Sequence, residues 1–272
     1  MAGANGNGSA GGRPPEGGED ATLYVIPGSH ACRTAMLMLD HKGVSYRRVE
    51  LITGIHPFVV RMLGFAGHRD PIRTVDGRTH AMLAVLDRAG TVPALRYGAE
   101  RVQGNIPIAR FLDGLRPDPP LFPSGEEREA VVEAERWGDE VLQMVARRLV
   151  LSAGARGLGE LRGRGGEGRL GALLAGNEPM RIFSSRTAAF MFRAGRSGEA
   201  RLLAELPAML DRIDGWIAAG ALDGPQLNAA DFMIASSLAL LAYRRDVAAD
   251  IAARPAGHLL DRILPDPSPV GS

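Results

Sequence analysis

The run Arg116-Pro117-Asp118-Pro119-Pro120 constrains this chain most. Proline has no N–H to give a helix or a central strand, and its ring clashes with the preceding helical turn, so neither element can pass through the run. It reads as a linker over residues 117–123. Residues 21–116, before it, mix strand and helix patterns, whereas residues 124–265, after it, carry only the helical period.

In the first part, Thr22 to Ile26 is a short, partly β-branched run stopped by Pro27-Gly28, which predicts a strand and a turn. Ser29 can cap a following helix, in which Cys32, Ala35, Met36 and Leu39 recur at helical spacing until Lys42-Gly43 supplies a cation and a terminating glycine. Tyr46 to Leu51 predicts a second strand returning beside the first through a right-handed crossover. Between Ile52 and Gly90 the pattern is weaker, with an apolar segment from Pro57 to Leu63 and a short helix predicted from His80 to Arg88. Thr91 to Tyr97 then predicts a strand, Gly98 to Glu100 a turn, and Asn105 a cap for a helix reaching Leu115.

In the second part, Ser124 and Glu127 have the spacing of a capping box, and Val131, Ala134, Val141, Val145 and Leu149 continue one apolar stripe. From Ala153 to Gly171 glycines are dense, each costing about 1 kcal/mol in a helix interior, which predicts a mobile loop. Helical periodicity resumes from Phe183 to Arg193, in the series Leu202, Leu206, Met209, Ile213, Trp216, and from Ala229 to Tyr243.

Charge excludes one class of partner: 32 basic against 31 acidic residues leave a net charge of +1, no footprint for nucleic acid. The single cysteine, Cys32, excludes an internal disulfide and a cysteine-cluster metal site, and fits a reducing compartment. Residues 1–20 are glycine-rich without an apolar signal core and read as a disordered tail, as do residues 266–272; a cytoplasmic protein is expected. The longest apolar stretch, Ala229 to Tyr243, is too short to span a bilayer.

Three segments could carry chemistry. Ser29 lies where a strand turns into a helix, so free N–H groups, the positive helix end and its hydroxyl could hold a thiolate. The plain alternative is a helix cap with Cys32 as a buried thiol one turn inside. Val92-Pro93 heads a strand; a cis peptide there would turn the backbone outward to pair with a peptide-like ligand, and a trans proline on an edge strand is the alternative. Gln103-Gly104-Asn105 opens another helix whose free amides suit a carboxylate, with Asn105 as a simple cap the plain reading. Asn228 and Asp231 form a cap and acidic third position, a folding device.

In this order the segments resemble the glutathione transferase superfamily, from about Thr22 to Pro265, and Leu227-Asn228-Ala229-Ala230-Asp231-Phe232 resembles its helical capping box. The resemblance implies a thioredoxin-like α/β N-terminal domain followed by an all-α C-terminal domain. It also implies that glutathione or a related low-molecular-weight thiol is the co-substrate and an apolar electrophile its partner, with no metal. Ser29 would activate the thiol, Val92 and Pro93 would bind its cysteinyl backbone, and Gln103, Gly104 and Asn105 would take the γ-glutamyl end. His56, Arg61 and Arg69 are candidates for the glycyl carboxylate, and a homodimer is compatible with the resemblance. Gly104 stands where the family has an acid or amide, and Asn105 where it has serine. A second reading is a transferase-like fold kept as a non-catalytic binding or interaction module; a third makes Cys32 the reactive group of a monothiol reductase.

Overall fold

The computed structural model describes residues 21–67, 89–174 and 176–267. The helix expected from His80 to Arg88, Arg69 and the tail at residues 1–20 lie outside the described residues.

Strand β1 (Ala21–Val25) is buried along its whole length because it is central: β2 (Arg47–Glu50) pairs with it in parallel and β3 (Ala94–Tyr97) antiparallel, and β4 (Glu100–Gln103) closes the far edge. The order β2-β1-β3-β4 is thioredoxin-like. Helix α1 (His30–His41) crosses between β1 and β2 and buries Cys32, Ala35, Met38 and Leu39, the face set by its spacing. It ends as expected at Gly43, in the left-handed region at φ 61°. Helix α2 (His56–Met62) follows β2, and α3 (Asn105–Leu115) follows β4.

Beyond the linker, α4 (Glu127–Trp137), a π-turn at Gly138–Leu142 and α5 (Gln143–Arg156) form one continuous helical path. The turn falls where α4 meets a later helix: a Cβ on Gly138 would lie 2.7 Å from Met233. The box expected from Ser124 and Glu127 is not made, since the helix starts at Glu127 after an uncapped Glu126. Next come α6 (Glu178–Met191), α7 (Arg196–Ala218) and α8 (Ala229–Leu241), all matching expected helices, then α9 (Arg245–Ala252) and α10 (Pro255–Ile263), which the sequence reading lacked. Every residue of α8 is buried; it is the axis on which α1, α4, α5 and α10 pack. Its start is the expected capping box, with Asn228 Oδ1 accepting from the Ala230 and Asp231 amides and Asp231 Oδ2 from the Asn228 amide at 2.8 Å. None of the helices described is long and apolar enough to cross a membrane.

The expected mobile loop at 153–171 is a correction. Helix α5 runs to Arg156, and the chain then makes two short helical turns and a strap, residues 158–174, whose Leu158, Leu161 and Leu170 are buried. Tyr243 anchors it: its carbonyl accepts from the Arg162 amide at 2.8 Å, and its hydroxyl accepts from the Leu170 amide and donates to the Gly171 carbonyl. Gly168, at φ 148°, is required because a Cβ would lie 2.6 Å from the Tyr243 ring. Glycines that argue against helix here permit close packing instead.

Buried ionic clusters brace each part. Lys42, the only lysine, is buried; its Nζ donates to Asp113 Oδ1 at 2.8 Å and to the Arg116 and Pro119 carbonyls at 2.6 Å, tying the end of α1 to the linker. In the helical half, buried Glu199 accepts from Arg156, Ser152 and Arg244. Burial pushes this carboxyl up, but those donors outweigh it and hold it at about 2.

Candidate functional site

The sheet edge and the helical half enclose a cavity of about 500 Å³. On the sheet side it is lined by Gly28 and Ser29 of the β1–α1 turn, by Thr91 and Val92, and by His56 at the start of α2. On the helix side the wall comes from Arg147, Val150 and Leu151 of α5, the strap through Leu161 and Leu173, and α6 with Phe192 beyond it.

Ser29 caps α1, with its Oγ accepting from the Cys32 amide at 3.3 Å. That bond uses an acceptor lone pair, so the hydroxyl proton remains able to donate into the cavity. The Val92-Pro93 peptide is cis. Gly28, at φ 68°, lies against the strap so closely that a Cβ would sit 2.5 Å from the Ala172 carbonyl oxygen and the Leu173 Cα. The strap is therefore the roof over the turn that carries Ser29.

Cys32 does not line this cavity; it is 2% exposed, and burial pushes its thiol up to about 11 despite the Ser29 hydroxyl, the reverse of a reactive thiolate. Gln103 is committed internally: its Oε1 accepts from the Gly67 amide at 3.0 Å and its Nε2 donates to the Thr91 carbonyl at 2.6 Å, bracing the Val92 turn from behind. Gly104, at φ 85°, occupies the capping position of α3, and Asn105 is the first helical residue, not the cap. The Asn105 side chain is buried, with Met233 sulfur 4.0 Å from its Nδ2 and its Oδ1 without a protein partner. None of these three lines the cavity. Arg61 turns away from it and donates to the Ala66 carbonyl.

Electrostatically the cavity leans positive. Arg147, Arg164 and Arg181 line it, and its described lining holds no Asp or Glu. Arg164 pairs with Glu178 at 2.7 Å, while Arg181 donates to the Leu174, Arg164 and Gly165 carbonyls and clasps the strap to α6. Arg147 lies over the Phe192 ring, 4.9 Å from its centroid, and donates to Gln143 Oε1 at 3.2 Å. Burial, then the Arg147 charge, holds His56 down at about 4 and His30 well below the ordinary histidine range, so both rings are neutral at pH 7. Sequence reasoning missed Arg147, Arg181 and His30; nothing local marks these arginines out among so many.

No family model matches the chain, and no curated protein matches it. Solved structures do. A glutathione S-transferase from Ceriporiopsis subvermispora in complex with glutathione is 16% identical at TM-score 0.57, over 90% of this chain and 95% of that one. A glutathione transferase from Phanerochaete chrysosporium is 18% identical at TM-score 0.57, over 91% and 97%. A glutathione S-transferase from Rhodospirillum rubrum is 20% identical at TM-score 0.53, over 91% and 89%.

Proposed function

We propose, with the glutathione-transferase fold of this chain as the premise, that it binds glutathione or a related low-molecular-weight thiol at the β1–α1 turn and conjugates it to an apolar electrophile held by the helical wall. One observation carries the reading: Ser29 and Val92 line the same mostly apolar cleft. The Ser29 hydroxyl would donate to the sulfur and favour its anion, and the amides at the start of α1 would add to that preference. Val92, which lines the cavity, would offer its backbone to the cysteinyl part of the ligand. In the reaction the thiol proton leaves to solvent, the thiolate lone pair forms the C–S bond, and the electrophile releases a leaving group or takes a proton. Water excluded by the strap would strengthen each of these interactions.

Ser29→Ala is the experiment. With glutathione and a neutral aryl halide, turnover should fall more than thiol affinity, because the hydroxyl favours the anion over the bound thiol. Unchanged turnover removes Ser29 from the mechanism.

The internal commitment of Gln103 and the burial of Asn105 favour a second reading, a transferase-fold binding module without chemistry. Calorimetric titration with glutathione separates them. Millimolar or tighter binding that weakens on changing Val92 supports the enzyme, and absence of binding supports the module.

A further inference from the structure

His56, on the sheet side of the cleft, has its tautomer fixed by the fold. Its Nδ1 accepts from the Gly54 amide at 3.3 Å, across a turn in which Gly54 takes φ 97°. A ring nitrogen that accepts carries no proton, so the single proton of the neutral ring sits on Nε2. Burial first, and the Arg147 charge second, hold this histidine at about 4, so the ring stays neutral at pH 7. The Nε2–H makes no hydrogen bond to any described residue. His56 lines the cleft together with Ser29 and Val92, and the helix-side wall is aliphatic, with Val150, Leu151, Leu161 and Leu173. Donor and wall together match an apolar molecule with one neutral acceptor oxygen. A neutral imidazole polarises a carbonyl through its N–H and keeps its proton while doing so. That bond strengthens as charge grows on the oxygen, so it favours the transition state over the bound substrate.

We infer that the second substrate is an α,β-unsaturated ketone or aldehyde, and that His56 Nε2–H donates to its carbonyl oxygen. The inference rests on the thiol-conjugation reading for its chemistry, but its first test needs no thiol. In the step, the thiolate lone pair forms the C–S bond at the β-carbon. The C=C pair shifts toward the carbonyl carbon, and the carbonyl π pair moves onto the oxygen, giving an enolate held by His56. The α-carbon then takes a proton from water and the carbonyl re-forms, with no leaving group. His56 is a catalytic residue in this assignment, and it selects electrophiles whose reacting carbon is conjugated to an oxygen.

The probe is 4-phenyl-3-buten-2-one with an isotope-labelled carbonyl, added to the full-length protein without thiol. Its carbonyl stretch in infrared difference spectra should lie lower than in hydrocarbon solvent. His56→Phe should return it to the hydrocarbon value, and His56→Gln, which keeps an N–H donor, should retain the lower one. With glutathione added, His56→Phe should lower kcat/KM for this enone at least about tenfold. For benzyl chloride, which has no oxygen, the loss should stay within about twofold. Circular dichroism checks that each variant is folded. If His56→Phe is not, nitrogen NMR of the wild type decides, through a proton on His56 Nε2 and a shift of that resonance when the enone is added. An unshifted carbonyl, a shift that survives His56→Phe, equal losses on both electrophiles, or no binding of the enone overturns the inference. A shifted carbonyl that His56→Phe abolishes, without turnover of either electrophile, keeps His56 as the carbonyl donor and counts against the thiol reading alone.

Discussion

The two walls of the cavity are built in different ways. On the sheet side, Ser29 and Val92 sit in chain reversals directly attached to β1 and β3, so the backbone ladder between those two strands holds them in place. On the helix side, Arg147, Leu161, Leu173 and Arg181 come from two helices and a strap, held by side chains distant in sequence such as Tyr243 and Glu199. A wall made of local backbone yields little to a single side-chain change. A wall hung on a few long-range polar anchors yields a great deal, because removing one partner strands the others in a dry interior.

The largest effect should come from Glu199→Ala, which removes the buried acceptor shared by Arg156, Ser152 and Arg244 and leaves Arg244 only Asp246 and the Leu149 carbonyl: about 2–3 kcal/mol lost in denaturant unfolding. A loss below about 1 kcal/mol would erase the contrast between the walls. Acid sharpens the point. The Glu199 carboxyl is held below its ordinary 4.5, at about 2, so its stabilisation is complete above 4.5 and is lost as pH falls through about 2. The stability difference between wild type and Glu199→Gln should accordingly be flat above pH 4.5 and shrink toward pH 2.

Gly28→Ala strikes where the walls touch. Its methyl would meet the strap backbone at 2.5 Å from a left-handed φ, and about 1–3 kcal/mol should be lost, with faster tryptic cleavage at the strap arginines. Unchanged cleavage would mean that the strap is held without that contact. Tyr243→Phe removes only the hydroxyl, leaving the Leu170 amide and Gly171 carbonyl without it, for about 1–2 kcal/mol. Hydrogen exchange should quicken in the strap and stay unchanged in α1; equal quickening in both would show the walls to be one unit. Ser29→Ala should have the smallest effect on stability, about 1 kcal/mol for a lost cap, together with its larger effect on turnover.

The first wall was legible in the sequence and the second was not. Strand β1, the Ser29 cap, the Gly43 end and the Asn228–Asp231 box follow from residue types a few positions apart, where the physics is local. Asn105 was misread as a cap because Gly104, free to take φ 85°, occupies that position and leaves Asn105 to be buried against α8. Gln103 resembled a ligand contact in sequence, yet its amide is spent on Gly67 and Thr91, partners at separations no local pattern encodes.

By itself the sequence determined most of the strand and helix order before and after the proline run, up to the helix at Ala229–Leu241, and the turn that presents Ser29, because backbone preferences and hydrophobic period act over a few residues. Only the tertiary structure decided that a glycine-dense stretch becomes a roof pinned by Tyr243 and Arg181, that Cys32 is sealed away, and that Arg147, Arg164 and Arg181 meet at one cavity. Those outcomes depend on packing between segments far apart along the chain, where burial and close approach override what each segment would do alone.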